Sequence, residues 1–282
     1  MPTLDKHHSS KIVKMLLMGN QGAGKTGAYA MLAAAGYRVI VADFDNGLDT
    51  AANFLPDAAK PNLHYKVFRN DKTGINGGKL LIKGLATDFT GFRASMDRWV
   101  DKDEDGKIIE DLGAIESWDA KTVFVIDSLT NMSKAAGRYA NQSLNQPLDQ
   151  SSWDVYFAAQ NYIQEVLETI TSPRVKCNIV VTAHVRVEED ETTKLKEAFP
   201  ITFGKALNPI VGTYFNVILE AVQGNMGKRF VRTQTRGLVK IKIPLHPSAQ
   251  AKPEYPIETA IPELFRILKR EGEVKPAAPA AS

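Results

Sequence analysis

The fold is decided by Gly19-Asn20-Gln21-Gly22-Ala23-Gly24-Lys25-Thr26, a stretch near the start of this 282-residue chain. The stretch fits the phosphate-binding pattern G-x-x-x-x-G-K-[ST] at every defined position. The apolar run 12–18 before it predicts a buried strand, and the alanine-rich run 27–35 after it predicts a helix ended by Gly36. Backbone N–H groups and a helix N-terminus at such a turn bind anions. We therefore predict a nucleoside triphosphate site; the alternative is a glycine-rich turn that matches by chance.

The motif assigns a contact to each residue of this turn. The predicted cofactor-binding residues are Gly19, Asn20, Gln21, Gly22, Ala23, Gly24, Lys25, Thr26 and Gly27. Glycine allows the backbone to approach the phosphates closely. Lys25 would reach the β- and γ-phosphates, and the Thr26 hydroxyl would bind Mg²⁺. The predicted cofactors are therefore ATP and Mg²⁺.

Two further apolar runs end in carboxylates. Residues 37–43 predict a strand that ends in Asp43-Phe44-Asp45-Asn46-Gly47, and residues 121–127 predict a strand that ends at Asp127. Ligands bind beyond the carboxyl ends of parallel strands, so these carboxylates are expected to share a crevice with the phosphate-binding turn. Asp127 would orient Mg²⁺, which prefers oxygen ligands and keeps several waters. The alternatives are a turn rich in Asp, Asn and Gly that only stops a strand, and an Asp that follows an apolar strand by chance.

Another predicted strand, residues 177–183, is followed by His184. A histidine at this edge can hydrogen-bond the γ-phosphate or the attacking water, and the alternative is a capped core histidine. The strand begins with Cys177, the only cysteine of the chain. A single cysteine excludes an internal disulfide, and its apolar surroundings predict a core residue rather than a nucleophile.

The composition is that of an ordinary globular protein. It is 44% hydrophobic, which suffices for a full core at this length. No run of 18 apolar residues occurs, and the polar segment 1–14 lacks the apolar region of a secretory signal. We therefore expect a cytoplasmic protein that does not cross a membrane.

Positive charge is concentrated towards the carboxyl end, although the formal net charge is only +3. Residues 201–282 contain 12 Lys and Arg against 6 Asp and Glu. Between positions 225 and 242 there is no acid, and the basic residues are Lys228, Arg229, Arg232, Arg236, Lys240 and Lys242. This stretch suits a polyanion or the phosphates of a neighbouring subunit, and a solvated hairpin face is the alternative.

The remaining segments predict helices, strands and loops. Amphipathic helices are predicted over 89–100, with Phe92, Met96 and Trp99 on one side, over 129–139, over 152–171 with Ser152 as N-cap, and within 257–270. Strands are predicted at 64–68, 217–222, 229–234 and 238–243, an exposed hairpin or loop at 188–196, and a mobile loop at 199–206. Residues 101–106 begin like an EF-hand loop, but Leu112 occupies the twelfth position, so an acidic turn is favoured.

The order of these motifs resembles that of RecA-like ATPases. The resemblance rests on the phosphate-binding turn, the Asp43–Gly47 turn, residues 123–127 and Val180-Val181-Thr182-Ala183-His184. More narrowly, the chain resembles compact phage-encoded nucleotide-binding proteins of that class, some of which act as single-strand annealing or recombination ATPases. The resemblance implies an α/β fold with a mostly parallel sheet flanked by helices, a carboxyl-terminal β-hairpin extension, and nucleotides bound between neighbouring subunits.

The resemblance also implies residue roles. Asp45 lies where the family usually has the glutamate that activates the hydrolytic water, Asp127 matches the metal carboxylate, and His184 matches the polar residue after the next strand. With Lys25, these are the predicted catalytic residues, and Thr26 and Asp127 are the predicted metal ligands. The predicted cationic finger for the next subunit's γ-phosphate is one of Lys228, Arg229 and Arg232. The predicted contacts to single-stranded DNA are Phe199, Phe203 and Lys205.

These implications predict a Mg²⁺-dependent ATPase that acts as a homo-oligomer on single-stranded DNA in phage recombination or annealing. The predicted organisation is an arm at 1–10, the ATPase domain at 11–245, a segment with a short helix at 246–270, and a disordered tail at 271–282. One alternative is a nucleotide-dependent switch or assembly ATPase with a protein partner, which needs no basic groove. The other is a small-molecule kinase, for which an arginine-rich lid is missing from the sequence.

Overall fold

A computed structural model describes residues 12–69, 72–76, 79–82, 86–103, 105–146, 152–189, 194–247 and 249–270, with the backbone alone for 72–76 and 79–82. The predicted arm at 1–10 and tail at 271–282 lie outside these residues. In the described part of the chain, no helix is both long and apolar enough to cross a membrane.

The elements alternate between strands and helices. The strands are β1 (Lys14–Met18), β2 (Arg38–Asp43), β3 (Leu63–Val67), β4 (Lys72–Asn76), β5 (Lys79–Ile82), β6 (Trp99–Lys102), β7 (Ile108–Gly113), β8 (Thr122–Asp127), β9 (Asn178–Ala183), β10 (Val185–Glu189), β11 (Lys196–Pro200), β12 (Val217–Gln223), β13 (Arg229–Arg232) and β14 (Glu254–Pro256). The α-helices are α1 (Lys25–Ala34), α2 (Asp49–Phe54), α3 (Thr87–Asp97), α4 (Leu129–Ser143), α5 (Trp153–Thr171) and α6 (Ile257–Leu268).

A single eight-stranded sheet organises these elements, in the order β14-β13-β12-β1-β9-β8-β2-β3. The pairs from β12 to β3 are all parallel, whereas β13 and β14 are added antiparallel at one edge. The predicted fold class, an α/β protein with a mostly parallel sheet and a carboxyl-terminal hairpin, is confirmed. The hairpins β4–β5, β6–β7 and β10–β11 lie outside the main sheet.

Burial explains why the inner strands are continuously apolar. Every residue of β8 and β9 is buried, because helices cover both faces of the sheet. One face carries an aromatic cluster in which Phe124 contacts Phe92, Trp99 and Trp118. On the other face, α1 and α6 pack together over β1, β2 and β12. The two layers hold the carboxyl ends of the parallel strands at one edge.

Several predicted boundaries need correction. The helix predicted over 89–100 ends at Asp97, and Trp99 begins β6, because its ring completes the aromatic cluster. The helix predicted over 129–139 continues to Ser143. The strand predicted at 238–243 forms only isolated bridges, Ala198 with Val239 and Ile218 with Lys242. The acidic turn at 101–106 joins β6 to β7, and the Ser152 side chain accepts a hydrogen bond from Val155 N, so that predicted N-cap is confirmed.

Candidate active site

A cavity of about 830 Å³ opens at the carboxyl ends of the parallel strands. It brings together the phosphate-binding turn, the strand-end acids and the histidine, as the sequence predicts. Its lining residues are Gln21, Gly22, Gly24, Lys25, Thr26, Asp45, Gly47, Thr50, Asn53, Phe54, Asp127, Thr130, Asn131, Lys134, His184, Ile201 and Arg229.

The phosphate-binding turn has the backbone that its sequence predicts. Gly24 has φ +91°, a left-handed conformation that glycine adopts without strain, and α1 begins at the next residue. The Lys25 ammonium donates hydrogen bonds to Gly19 O at 2.9 Å and Asn20 O at 3.0 Å. Burial lowers the pKa of Lys25, whereas the charges of Asp127 and Asp45 act to raise it. The amine is thus held above the turn, within the cavity.

Asp127 is buried and collects hydroxyl donors from three elements. Its Oδ2 accepts hydrogen bonds from Thr26 Oγ1 and Tyr29 Oη, each at 2.8 Å, and its Oδ1 accepts one from Thr182 Oγ1 at 2.5 Å. Burial raises the pKa of Asp127, although these hydrogen bonds oppose the change. The contact between Thr26 and Asp127 joins the two predicted metal ligands.

The oxygen donors of this corner fit Mg²⁺. The Thr26 hydroxyl and the Asp127 carboxylate offer hard oxygen ligands, and Mg²⁺ commonly takes one or two protein ligands beside phosphate and water. Within the described ranges, no group of three or more His, Cys, Asp or Glu side chains forms a metal cage. The site therefore suits a nucleotide-bound Mg²⁺ rather than an ion held by protein alone.

Asp45 is oriented by the start of α4. Its Oδ1 accepts hydrogen bonds from Ser128 Oγ at 2.8 Å and Asn131 Nδ2 at 2.6 Å, and its Oδ2 lies 3.7 Å from His184 Nε2. Burial acts to raise the pKa of Asp45, but hydrogen bonds from His184, Ser128 and Asn131 outweigh burial and lower it. Asp45 is consequently an ionised carboxylate with one oxygen fixed and the other facing the histidine.

His184 connects the cavity to the β10–β11 hairpin. Its backbone N donates to Thr130 Oγ1 at 3.0 Å, and its carbonyl accepts from Ile201 N at 2.9 Å. Its Nδ1 lies 3.5 Å from Lys25 Nζ. The side chain therefore contacts both Lys25 and Asp45, at the residue where the hairpin begins.

Asp43 lies behind Asp45 and shapes its turn. Its Oδ1 accepts hydrogen bonds from Asp45 N at 2.9 Å and Asn46 N at 2.7 Å. Its Oδ2 is buried without a hydrogen-bond partner among the described residues, and Asp127 is its direct neighbour in β8. Burial raises the pKa of Asp43 to about 6, from an ordinary value of 3.8.

The three candidates for a finger in trans have different environments. Arg232 forms ion pairs with Glu220 at 3.3 Å and Glu254 at 3.2 Å, which neutralise its charge within the sheet. Arg229 lines the cavity of its own chain. Lys228 is exposed and, in the part of the chain that the structure describes, forms no ion pair. The prediction that Arg229 or Arg232 reaches a neighbour is therefore corrected, because both are engaged within their own subunit.

The predicted DNA contacts need a similar correction. The Phe203 ring stacks on Tyr156, with centroids 5.0 Å apart, and a Cβ added at Gly137 would lie 2.7 Å from it. Phe203 thus packs between α4 and α5 and offers no open face for a base. Phe199 belongs to β11 and is half-buried, whereas Lys205 is exposed. The loop predicted to be mobile is held by hydrogen bonds from Thr202 N and Oγ1 to the Asn208 side chain.

Sequence reasoning missed the residues that orient the acids. These are Tyr29, Ser128, Asn131 and Thr182. Ser128 directly follows Asp127 and caps α4 by accepting from Asn131 N, so an N-cap pattern after the strand was the available signal. No pattern distinguished Tyr29 or Thr182 from ordinary core residues.

A parallel sheet with a phosphate-binding turn, a hydroxyl–carboxylate corner and an oriented second acid defines a P-loop nucleotide-binding protein. The model of the AAA domain family matches residues 11–244, and the chain belongs to that family. It is a P-loop ATPase.

Other comparisons add a distant likeness. No curated protein sequence matches the chain. One similar solved structure is a prototypical ATPase from the type III secretion system of pathogenic bacteria, with 10% sequence identity and a TM-score of 0.38. The match covers 78% of this chain and 57% of that ATPase, so this chain spans little more than half of its length.

Proposed function

We propose that the protein is a RecA-like, Mg²⁺-dependent ATPase that assembles into homo-oligomers on single-stranded DNA, in phage recombination or single-strand annealing. One observation carries this proposal. His184, at the start of the β10–β11 hairpin, lies 3.7 Å from Asp45 Oδ2 and 3.5 Å from Lys25 Nζ. A change at the γ-phosphate would therefore reach a hairpin outside the main sheet through a single side chain.

Hydrolysis would use the residues in the following way. Asp45, with Oδ1 fixed by Ser128 and Asn131, orients water through Oδ2 for in-line attack on the γ-phosphorus. A bond forms from water oxygen to phosphorus, the bond to the bridging oxygen breaks, and the water proton passes to Asp45 or to the phosphate. Lys25 neutralises charge on the transferred group. Mg²⁺, held at Thr26 and Asp127, would supply further charge neutralisation.

DNA binding would depend on a small set of exposed cations. On the β10–β11 hairpin, Arg186, Lys194 and Lys196 each have a glutamate within 4.0 Å, and Lys240 pairs with Glu197 at 2.6 Å. The exposed amines of Lys205 and Lys228 have no such partner among the described residues. We therefore assign the strand's phosphate contacts to Lys205 and Lys228.

Salt dependence and turnover test this assignment. Single-stranded DNA should stimulate ATP hydrolysis by the full chain and bind more weakly as salt rises, because neutralised phosphates release counterions. The double variant Lys205→Ala/Lys228→Ala should bind less tightly and show a shallower salt dependence. Lys176→Ala is the matched control, since Lys176 is exposed and precedes β9 at the opposite edge of the sheet. Equal binding by both variants would contradict the assignment.

A second function is favoured by an exposed aromatic pair. Trp153 and Phe157, one turn apart on α5, are 90% and 69% exposed. Aromatic side chains of this kind are enriched at protein interfaces. We propose, as the alternative, a nucleotide-dependent switch or assembly ATPase with a protein partner. It would be supported by ATP turnover that neither DNA nor RNA stimulates, together with no salt-dependent binding to either.

A further inference from the structure

Arg229 enters the nucleotide cavity from the antiparallel edge of the sheet. It begins β13, pairs with Gln223 of β12, and lines the same cavity as Lys25 and Asp127. Its side chain lies against the phosphate-binding turn, because a Cβ added at Gly24 would be 2.9 Å from Arg229 Cδ. The guanidinium is thus carried on its own chain's turn.

The Arg229 guanidinium has no partner in this position. Its Nε is buried and makes no hydrogen bond to the described residues. The next two arginines of the same segment differ, since Arg232 pairs with Glu220 and Glu254, and Arg236 pairs with Glu254. A buried donor without an acceptor loses stability, and a charged donor loses more than a neutral one. Something outside the described residues must satisfy this group in the working protein.

We propose that Arg229 binds phosphate oxygens of the nucleotide held by its own subunit. The arginine fork matches phosphate geometry, and its cavity also contains the phosphate-binding turn and Lys25. The inference rests on the nucleotide site and not on DNA binding. It assigns to Arg229 a contact in cis, in place of the contact to a neighbour that the sequence predicts.

The same contact links the nucleotide to the carboxyl-terminal elements. Ile257, the first residue of α6, also touches the turn, since its Cδ1 would lie 2.6 Å from a Cβ at Gly24. β13 pairs with β14, which leads directly into α6, and α6 packs on α1. A phosphate bound to Arg229 therefore fixes β13 against the turn and, through β14, the position of α6. Nucleotide should slow amide hydrogen exchange in β13–α6 of the parent.

Equilibrium binding of fluorescent ADP and a slowly hydrolysed ATP analogue, with Mg²⁺, tests the contact. Arg229→Ala should bind about 10-fold more weakly or worse, as expected for the loss of a charged hydrogen bond, and Arg229→Lys should fall between it and the parent. Lys228→Ala is the matched control, because it removes an adjacent, exposed charge, and it should bind within about twofold of the parent. Arg229→Ala should also abolish the nucleotide-dependent protection of β13–α6. Thermal melting confirms that each variant is folded.

A mixing experiment separates cis from trans action. If Arg229 served a neighbour, Lys25→Ala chains would supply it to Arg229→Ala chains, and the mixture would regain ATPase activity. A contact in cis predicts no gain on mixing and a binding defect that is independent of protein concentration. Restored activity, or parental nucleotide affinity in a folded Arg229→Ala variant, would overturn the inference. If the parent itself bound no nucleotide, the nucleotide site would be refuted instead.

Discussion

Asp43 should make the stability of the protein fall as pH rises through the weakly acidic range. The carboxyl is 1% exposed, and burial raises its pKa to about 6 from 3.8. An acid with a raised pKa is protonated more readily in the folded than in the unfolded state. Its stabilising effect is therefore present at low pH and is lost as pH rises from about 4 to about 6, where the unfolded chain ionises first.

The substitution Asp43→Asn removes this titration and keeps the contacts. An asparagine oxygen can accept the hydrogen bonds from Asp45 N and Asn46 N that Asp43 Oδ1 accepts now. One pKa unit corresponds to about 1.4 kcal/mol, so the displacement from 3.8 to about 6 costs the parent about 3 kcal/mol at pH 8. At pH 4.5 the same displacement costs about 1 kcal/mol. The stability of the variant relative to the parent should therefore rise by about 2 kcal/mol between these pH values.

Urea unfolding without nucleotide or Mg²⁺, at pH 4.5 and pH 8, measures this difference. Asp57→Asn is the control, because its side chain is 94% exposed and pairs with Lys60. The pKa of Asp57 is lowered by Lys60, so any change in the control has the opposite sign. A difference between Asp43→Asn and the parent that is the same at both pH values would refute the reasoning.

Three other substitutions test the site. Asp45→Asn should lower kcat by about 100-fold or more, while nucleotide affinity changes little, because the amide keeps the position but loses the charge that orients water; parental turnover would refute this role. Lys25→Ala should abolish ATP turnover in a coupled assay, and retained turnover would show that another cation neutralises the phosphates. Gly24→Ala should lower the free energy of unfolding more than Gly36→Ala, since both have positive φ but only the first places a Cβ against Ile257; equal losses would mean that backbone strain alone matters.

The sheet and the cavity followed from short sequence patterns. Apolar runs that end in Asp or His place those side chains at the carboxyl ends of parallel strands, which meet at one edge. This is why Asp45, Asp127 and His184 could be predicted to meet Lys25. The order of the strands and the two faces of helices followed from the same runs, because strands buried on both sides need no alternating pattern.

Other features depend on contacts that no local pattern contains. Phe92, Met96 and Trp99 have helical spacing, yet Trp99 leaves the helix because the aromatic cluster around Phe124 holds its ring. The pairing of Arg232 with Glu220 and Glu254 is set by the register of three antiparallel strands. A basic stretch therefore looked uniform in the sequence, although its members differ in charge balance once the hairpin is folded.

The aspartate at position 45 illustrates how the fold accommodates a departure from the family pattern. A side chain one methylene shorter than glutamate must start from a backbone that lies closer to the reacting atoms. Asp43 draws the Asp45 and Asn46 amides towards it, and the Asp127 carbonyl accepts hydrogen bonds from Phe44 N and Asp45 N. The turn is thereby held against β8, where Ser128 reaches Asp45. The position of this carboxylate is thus set by the backbone of its turn, which makes the buried Asp43 part of the support of the site.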